Sequence, residues 1–250
     1  MIIIKNKLAL QKMAIAGQKL AKIVSLLPEQ IKEGVTTLEL DQWVVQHLKN
    51  AQLISCTKGY LGYRHSTCIS VNEEVVHGVP CKEKILKNGD LVKVDICASY
   101  KGYCADMARC FFVGGVHSPE AQKLVEVAQR ALDVGIAQAR VGNRLGDISA
   151  AIQHEVEKNG FGVVRDFAGH GIGKKMHEEP ELLNYGESGK GPVLRAGMTL
   201  AIEPMITQGG YEVCIMQDGW TVRTEDKKLA AHVEDTIAIT QDGPQILTRL

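Results

Sequence analysis

The sequence predicts an α+β fold of two pseudosymmetric halves, about residues 1–115 and 116–250, with antiparallel or mixed sheet inside and helices outside. Three observations predict it. First, Leu86-Lys87-Asn88-Gly89-Asp90-Leu91-Val92-Lys93-Val94-Asp95 aligns without a gap with Leu194-Arg195-Ala196-Gly197-Met198-Thr199-Leu200-Ala201-Ile202-Glu203, and each stretch ends on an acid. Second, the order helix, helix, strands occurs twice. Third, no Ser/Gly-rich linker or low-complexity run separates the halves, which favours one fused pseudosymmetric domain over two independent ones.

In chain order, Leu8, Leu10, Met13, Ile15, Leu20, Ile23, Val24 and Leu27 recur near helical spacing, predicting a helix from Asn6 to about Leu27, closed by Pro28. Thr36-Thr37-Leu38-Glu39 has the form of a capping box and predicts a second helix to about Lys49. A Gly- and Tyr-containing stretch leads to a strand at Thr67–Asn72, then to the first copy of the repeat. In the second half, Ser118-Pro119 supplies an N-cap and an N1 proline for a helix to about Ala139. Another helix runs from about Arg144 to Lys158 and stops at Asn159-Gly160. With four amphipathic helices outside, functional groups belong on the inner, concave face of the sheet.

Composition narrows the function classes. The 45% apolar and 23% charged content is that of an ordinary globular protein, and 29 Lys+Arg balance 29 Asp+Glu, so no global field favours nucleic acid or an anionic membrane. Seven cysteines without a CxxC argue against a disulfide framework or a zinc ribbon and fit a reducing cytoplasm. The N-terminus Met1-Ile2-Ile3-Ile4-Lys5 is too short for a signal-peptide core, and no apolar run reaches membrane-spanning length.

The repeat brings acids with it. Asp106 and Glu234 each follow a copy on a second β-like run, so two halves packed about a pseudo-twofold axis make four carboxylates converge. Gathered in an interior, four such groups repel each other unless cations neutralise them, which points to a metal centre. Asp95 and Asp106 flank Tyr100-Lys101-Gly102-Tyr103, and a hairpin there places them opposite or diagonal on one face, roughly 5 to 8 Å apart. Glu203 precedes Pro204, so its strand ends there and presents the side chain at an open sheet end. Glu234 is expected inside an apolar strand, where it needs a cation. His170, in a loop of three glycines from Gly169 to Gly173 that frees the backbone for close approach to a ligand, is the natural nitrogen donor. The same loop lacks the spacing of a phosphate-binding motif.

Asp95, Asp106, His170, Glu203 and Glu234, in this order and spacing, resemble the five-ligand site of the type I methionine aminopeptidases. The resemblance extends over nearly the whole chain and includes Val76-His77-Gly78-Val79-Pro80, Gly169-His170-Gly171-Ile172-Gly173, His177-Glu178-Glu179-Pro180 and Ile202-Glu203-Pro204-Met205. It implies the pita-bread fold and two divalent ions, of Co, Mn, Fe or Zn, bridged by Asp106 and Glu234, with Asp95 completing one coordination sphere and His170 with Glu203 the other. It also implies a hydroxide between the metals, Glu203 as proton acceptor, His177 as donor to the oxyanion and His77 in contact with the scissile amide. Tyr60, Tyr63, Cys68, Met176 and Trp220 fall at positions similar to the family's methionine pocket, where sulfur and aromatic walls suit a thioether. The chain departs from the commoner bacterial pattern at Arg64-His65-Ser66, Thr57 and Met176.

The implied activity is removal of the initiator methionine from nascent polypeptides whose second residue is small. The implied protein is a cytoplasmic monomer, with ribosome association left open. Proline-specific aminopeptidases and dipeptidases share this fold and ligand set but usually carry a further N-terminal domain, whereas here the first helix begins near residue 6. A non-enzymatic binding protein of the same fold would have lost ligands, and all five stand here.

Overall fold

A computed structural model describes residues 1–116 and 118–250. Four helices, α1 (Lys7–Val24), α2 (Thr37–Asn50), α3 (Pro119–Gln138) and α4 (Leu145–Glu157), alternate in pairs with the strands. The first half holds β1 (Ile54–Ser55), β2 (Cys68–Val71), β3 (Glu74–Val76), β4 (Leu91–Tyr100) and β5 (Tyr103–Phe112). The second half begins with β6 (Gly162–Val163), β7 (Ala168–Gly171), β8 (Glu178–Leu183) and β9 (Thr199–Ile202). It continues through β10 (Met205–Thr207), β11 (Val213–Ile215), β12 (Val222–Thr224) and β13 (Ala230–His232) to β14 (Glu234–Thr240) and β15 (Gly243–Ile246).

Local chemistry sets the helix starts. Asn6 accepts the Ala9 N–H at α1, Ser118 accepts the Ala121 N–H at α3, and Thr36 and Glu39 exchange reciprocal hydrogen bonds at α2. The first helix differs from expectation at its end: it stops at Val24, and Pro28 sits in a separate 3-10 turn, Leu27–Glu29. Leu8 and Ile15, which fit the apolar repeat, face solvent, and the buried stripe runs instead through Ala9, Met13, Ala16, Leu20 and Val24. Small Ala9 and Ala16 let the helix approach the sheet where larger side chains would hold it off.

The main sheet has nine strands in the order β1-β4-β5-β14-β9-β7-β8, with β2 added beside β4 and β15 beside β14, and every pairing is antiparallel. Two three-stranded sheets, β13-β10-β6 and β11-β12-β3, wall one side of the site. The helices cover a single face. Leu20, Val44, Val94, Ile96 and Met107 form one core under α1 and α2, and Leu132, Ile148, Ile152, Leu200 and Ile237 form the other under α3 and α4. Each such fully buried side chain contributes about 1.5 to 3 kcal/mol relative to exposure. Strand alternation then sends Asp95, Asp106, Glu203 and Glu234 to the opposite, inner face.

The duplication is visible in main-chain hydrogen bonds. Thr36 bridges Ile85 in the first half, and 108 residues later Arg144 bridges Val193. The Leu86 N–H donates to Val35 O at 2.8 Å, and the Leu194 N–H donates to Asn143 O at 2.8 Å. The glycine common to both copies is required by its turn: Gly89 has φ 91° and Gly197 φ 88°, a region costly for any residue with a Cβ. The halves meet where β5 pairs with β14, Ala108 opposite Glu234 and Met107 opposite Asp235. Beside that seam, Thr236 Oγ1 accepts the Asp106 N–H and donates to Asp106 O, each at 2.8 Å.

Candidate metal centre and substrate cavity

Asp95 and Asp106 are placed by the β4–β5 hairpin. Its register sets Asp95 opposite Ala108 and Cys97 opposite Asp106, so the two acids are diagonal neighbours on one face. Glu203 follows the last residue of β9, as its proline neighbour requires. Glu234 is a correction: it does not lie within a continuous apolar strand but opens β14, because the chain leaves one sheet after His232 and joins another at Glu234.

His170 is a second correction. It lies on β7, not in a loop, hydrogen-bonded between β8 and β9. Its neighbouring glycines serve strand packing, not approach to a ligand: a Cβ on Gly169 would stand 2.5 Å from Ala201 O, and one on Gly171 would collide with Glu179 O. The missing methyls let three strands close up and bring His170 Nε2 within 3.5 Å of Glu203 Oε1.

Two triplets of donor atoms lie within 4.8 Å of one another: Asp106, His170 and Glu234, and then Glu203, His232 and Glu234. Glu234 is common to both, and Asp95 belongs to neither, although Asp106 is the charge that most affects it. His232, which the sequence reading overlooked, is buried with Nε2 3.3 Å from Glu203 Oε2. That contact lacks hydrogen-bond alignment, since the same nitrogen has no partner.

The electrostatics are those of a cation site without a protein cation. Burial, followed by mutual repulsion, pushes Asp95 and Glu234 well above the ordinary carboxylate range and Asp106 up to about 7; burial alone takes Glu203 to about 8. Burial lowers His170 to about 3 and His77 and His232 to about 4, so all three imidazoles are neutral with a lone pair to offer. Asp106 Oδ1 and Glu234 Oε1 are buried without any hydrogen-bond partner. Asp235, the next residue, shows what the chain does with an acid it neutralises itself: Arg109 and Arg249 each donate to it at 2.6 Å and Thr248 Oγ1 at 2.7 Å. Among the described residues Glu234 has no such partners. Paired oxygen acids with neutral imidazoles are the donor set of Mn, Fe, Co or Zn.

These groups line a cavity of about 890 Å³. Every position expected from the sequence reaches it: the four acids and the imidazole of His170, then His77 and His177, then Tyr60, Tyr63, Cys68, Met176 and Trp220. The Tyr60 hydroxyl lies 2.8 Å from His177 Nδ1, and His177 meets the His170 ring edge-on at 4.3 Å. His77 has a left-handed φ of 58° and packs edge-on against Phe167 at 5.5 Å. Tyr63 packs edge-on against Trp220 at 5.0 Å, and its hydroxyl donates to Thr67 O at 3.0 Å. Asp41 of α2 holds the tyrosine-bearing loop, accepting from the Ser66 and Thr67 N–H groups at 3.0 Å and from Thr67 Oγ1 at 2.9 Å. The buried Lys5–Glu178 ion pair, 2.7 Å, fixes the start of β8 beside His177. Phe167 and Asp41 were also missed from sequence; only an aromatic and an acid in otherwise ordinary contexts marked them.

The sequence matches metallopeptidase family M24 over residues 11–241. It is 48% identical to methionine aminopeptidase of Clostridium acetobutylicum, over 99% of each chain. The structure superposes on methionine aminopeptidase of Thermotoga maritima with a TM-score of 0.98 at 44% identity, covering 100% of both chains. On the prolidase of Pyrococcus horikoshii the TM-score is 0.77 at 26% identity, covering 99% of this chain and 63% of that one.

Proposed function

The chain belongs to metallopeptidase family M24 and to its methionine aminopeptidases, and from that premise we propose that it removes the initiator methionine from nascent polypeptides whose second residue is small. The observation that carries the reading is the convergence of buried, cation-free carboxylates and neutral imidazoles at the wall of a cavity lined by sulfur and aromatic rings.

Asp95, Asp106, His170, Glu203 and Glu234 would hold two divalent ions, with Asp106 and Glu234 shared between them, and His232 offers a further neutral nitrogen within reach of Glu203 and Glu234. When bound, such ions acidify a shared water and polarise the scissile carbonyl. Glu203 accepts the proton of the attacking water and returns it to the leaving amine. His177 Nδ1 stands 2.8 Å from the Tyr60 hydroxyl; with that hydroxyl as donor, the imidazole proton sits on Nε2, from which it would be donated to the oxyanion of the tetrahedral intermediate. His77, kept neutral by burial and braced by Phe167, orients the scissile amide. Tyr63, Cys68, Met176 and Trp220 receive the methionine side chain by dispersion and sulfur–ring contacts. Seven unpaired cysteines support a reducing compartment, the cytoplasm.

Hydrolysis of Met-Ala-Ser beside Met-Phe-Ser and Ala-Pro peptides by the metal-reconstituted enzyme tests this reading. Methionine release from Met-Ala-Ser alone is expected. Cleavage of the Ala-Pro bond without methionine release would replace the assignment with proline specificity, and equal turnover of Met-Ala-Ser and Met-Phe-Ser would remove the small-residue restriction.

A further inference from the structure

A second cluster of donors adjoins the oxygen-rich centre, and one of its members, Cys97, lines the same cavity. Cys56, Cys97 and Cys104 place their sulfurs within 4.8 Å of one another, with Cys56 Sγ and Cys104 Sγ 3.4 Å apart. Three neighbouring strands supply them. Cys56 directly follows β1 and extends its ladder by donating its N–H to Cys97 O at 2.9 Å, Cys97 stands on β4, and Cys104 stands on β5. Cys97 and Cys104 alternate onto the same face as Asp95 and Asp106, and Cys97 is the residue directly opposite Asp106. The remaining polar contacts of the outer two thiols are long, 3.8 Å from Cys56 Sγ to Ile54 O and 3.7 Å from Cys104 Sγ to Lys174 O.

Strands β1 and β5 flank β4 on opposite sides, so the Cys56 and Cys104 thiols meet across the strand that carries Cys97. Their sulfurs stand 3.4 Å apart, well beyond the roughly 2.05 Å of a disulfide bond, and the third thiol beside them makes a three-donor set. Tetrahedral thiolate sites with metal–sulfur bonds of about 2.3 Å hold their sulfurs roughly 3.8 Å apart, close to the spacing already present. Soft thiolates also select a different ion from the carboxylates next door.

We propose that Cys56, Cys97 and Cys104 form a binding site for a thiophilic d10 cation of the zinc, cadmium or copper(I) class, with a donor set distinct from the carboxylates and adjoining them through Cys97. Half-buried Cys56 is the side from which the ion enters, and the buried Cys97 and Cys104 complete the trigonal set.

Cadmium(II) is the probe. Reduced enzyme preloaded with manganese is titrated with cadmium while thiolate-to-cadmium absorption is followed in the ultraviolet, a band that oxygen and nitrogen ligands do not give. One further equivalent bound with that absorption is expected in the unsubstituted enzyme and in Cys214→Ser, and its loss in Cys56→Ser. Should Cys56→Ser fail to fold, alkylation of the unsubstituted enzyme by iodoacetamide decides, because bound cadmium must protect Cys56 while leaving Cys214 reactive. Absence of the band, its full retention in Cys56→Ser, or unprotected Cys56 overturns the proposal. So does a Cys56–Cys104 crosslink in the non-reduced peptide map, which would make the pair a disulfide.

Discussion

The hairpin β4–β5 and its counterpart in the second half both deliver two acids to the inner face, but they are built differently. Asp95 and Asp106 lie on two ten-residue strands joined by a two-residue turn. Between Glu203 and Glu234 the chain leaves the main sheet, passes through β10, β11, β12 and β13, and returns. Met205, Trp220 and His232 all come from that excursion. The repeated frame ends each copy on an acid, and the interruption adds Met205, Trp220 and His232 to the site. Where two halves agree the constraint is electrostatic; where they diverge it is the shape of one asymmetric substrate.

The largest effects should fall on the acids shared by both halves. Asp106→Ala and Glu234→Ala are expected to lose both ions and to lower kcat/KM by roughly 10³-fold or more. Elemental analysis of purified variants beside peptide kinetics checks this. Unchanged metal content in Asp106→Ala would end the bridging assignment and with it the equivalence of the two acids.

His177 comes from the second half and its hydroxyl partner Tyr60 from the first, so they test cooperation across the seam. His177→Ala should lower kcat and kcat/KM alike by roughly 10²- to 10³-fold with metal content and KM little changed, because the lost hydrogen bond forms only in the transition state. Tyr60→Phe should show a smaller loss of the same pattern. A His177→Ala protein that loses its ions would make this residue a ligand instead.

Stability of the metal-free chain against pH separates the acids from the imidazoles. Folding raises Asp106 to about 7 and Glu203 to about 8, so the folded chain keeps protons that the unfolded chain sheds, and stability should rise as pH falls from 8.5 toward 6.5. Below the ordinary histidine value of 6.5 the rise levels off: folding holds His77 and His232 near 4 and His170 near 3, so the unfolded chain takes up protons there, while the folded chain still keeps those on Asp95, Asp106, Glu203 and Glu234 that the unfolded chain lacks. Thermal unfolding in chelator should therefore show stability climbing from pH 8.5 to about 6.5 and then a plateau. Metal-loaded protein should show no such rise, because ions take the place of the protons. A steady fall on acidification of the metal-free form would sink this account.

The smallest difference compares equivalent helix starts. Thr36→Ala removes a side-chain cap and should cost about 1 kcal/mol. Arg144, its counterpart 108 residues later, contributes its backbone N–H to Asp147 Oδ2 at 2.7 Å, a bond that Arg144→Ala retains, so denaturant unfolding should find almost no change.

Much of this molecule was legible in its sequence because the signals were local. Caps at Thr36 and Ser118, the glycine common to both copies, and the Lys101-Gly102 turn that sets Asp95 diagonal to Asp106 each act within a few residues. His232 escaped because Ala230-Ala231 and the residues after Glu234 read as one apolar strand, and the change of sheet at Val233 has no sequence mark. The three cysteines escaped for the opposite reason: their proximity is made by strand order, and positions 56, 97 and 104 have no metal-motif spacing. His170 was found by residue type but misplaced, because glycines that let strands touch are indistinguishable in sequence from glycines that loosen a loop.

The seam at Met107 and Asp235 carries one more consequence. Ala108 faces Glu234 on one side of that pair, and Asp106 bonds Thr236 on the other, so the contact is self-complementary in the way that a closed homodimer interface is. Two separate half-length chains meeting there would assemble their acids only above some protein concentration, and every substitution would appear twice. Joined covalently, the halves meet at any dilution, and Glu203 could acquire its proline, its histidine neighbour and a thirty-residue detour without Asp95 having to follow.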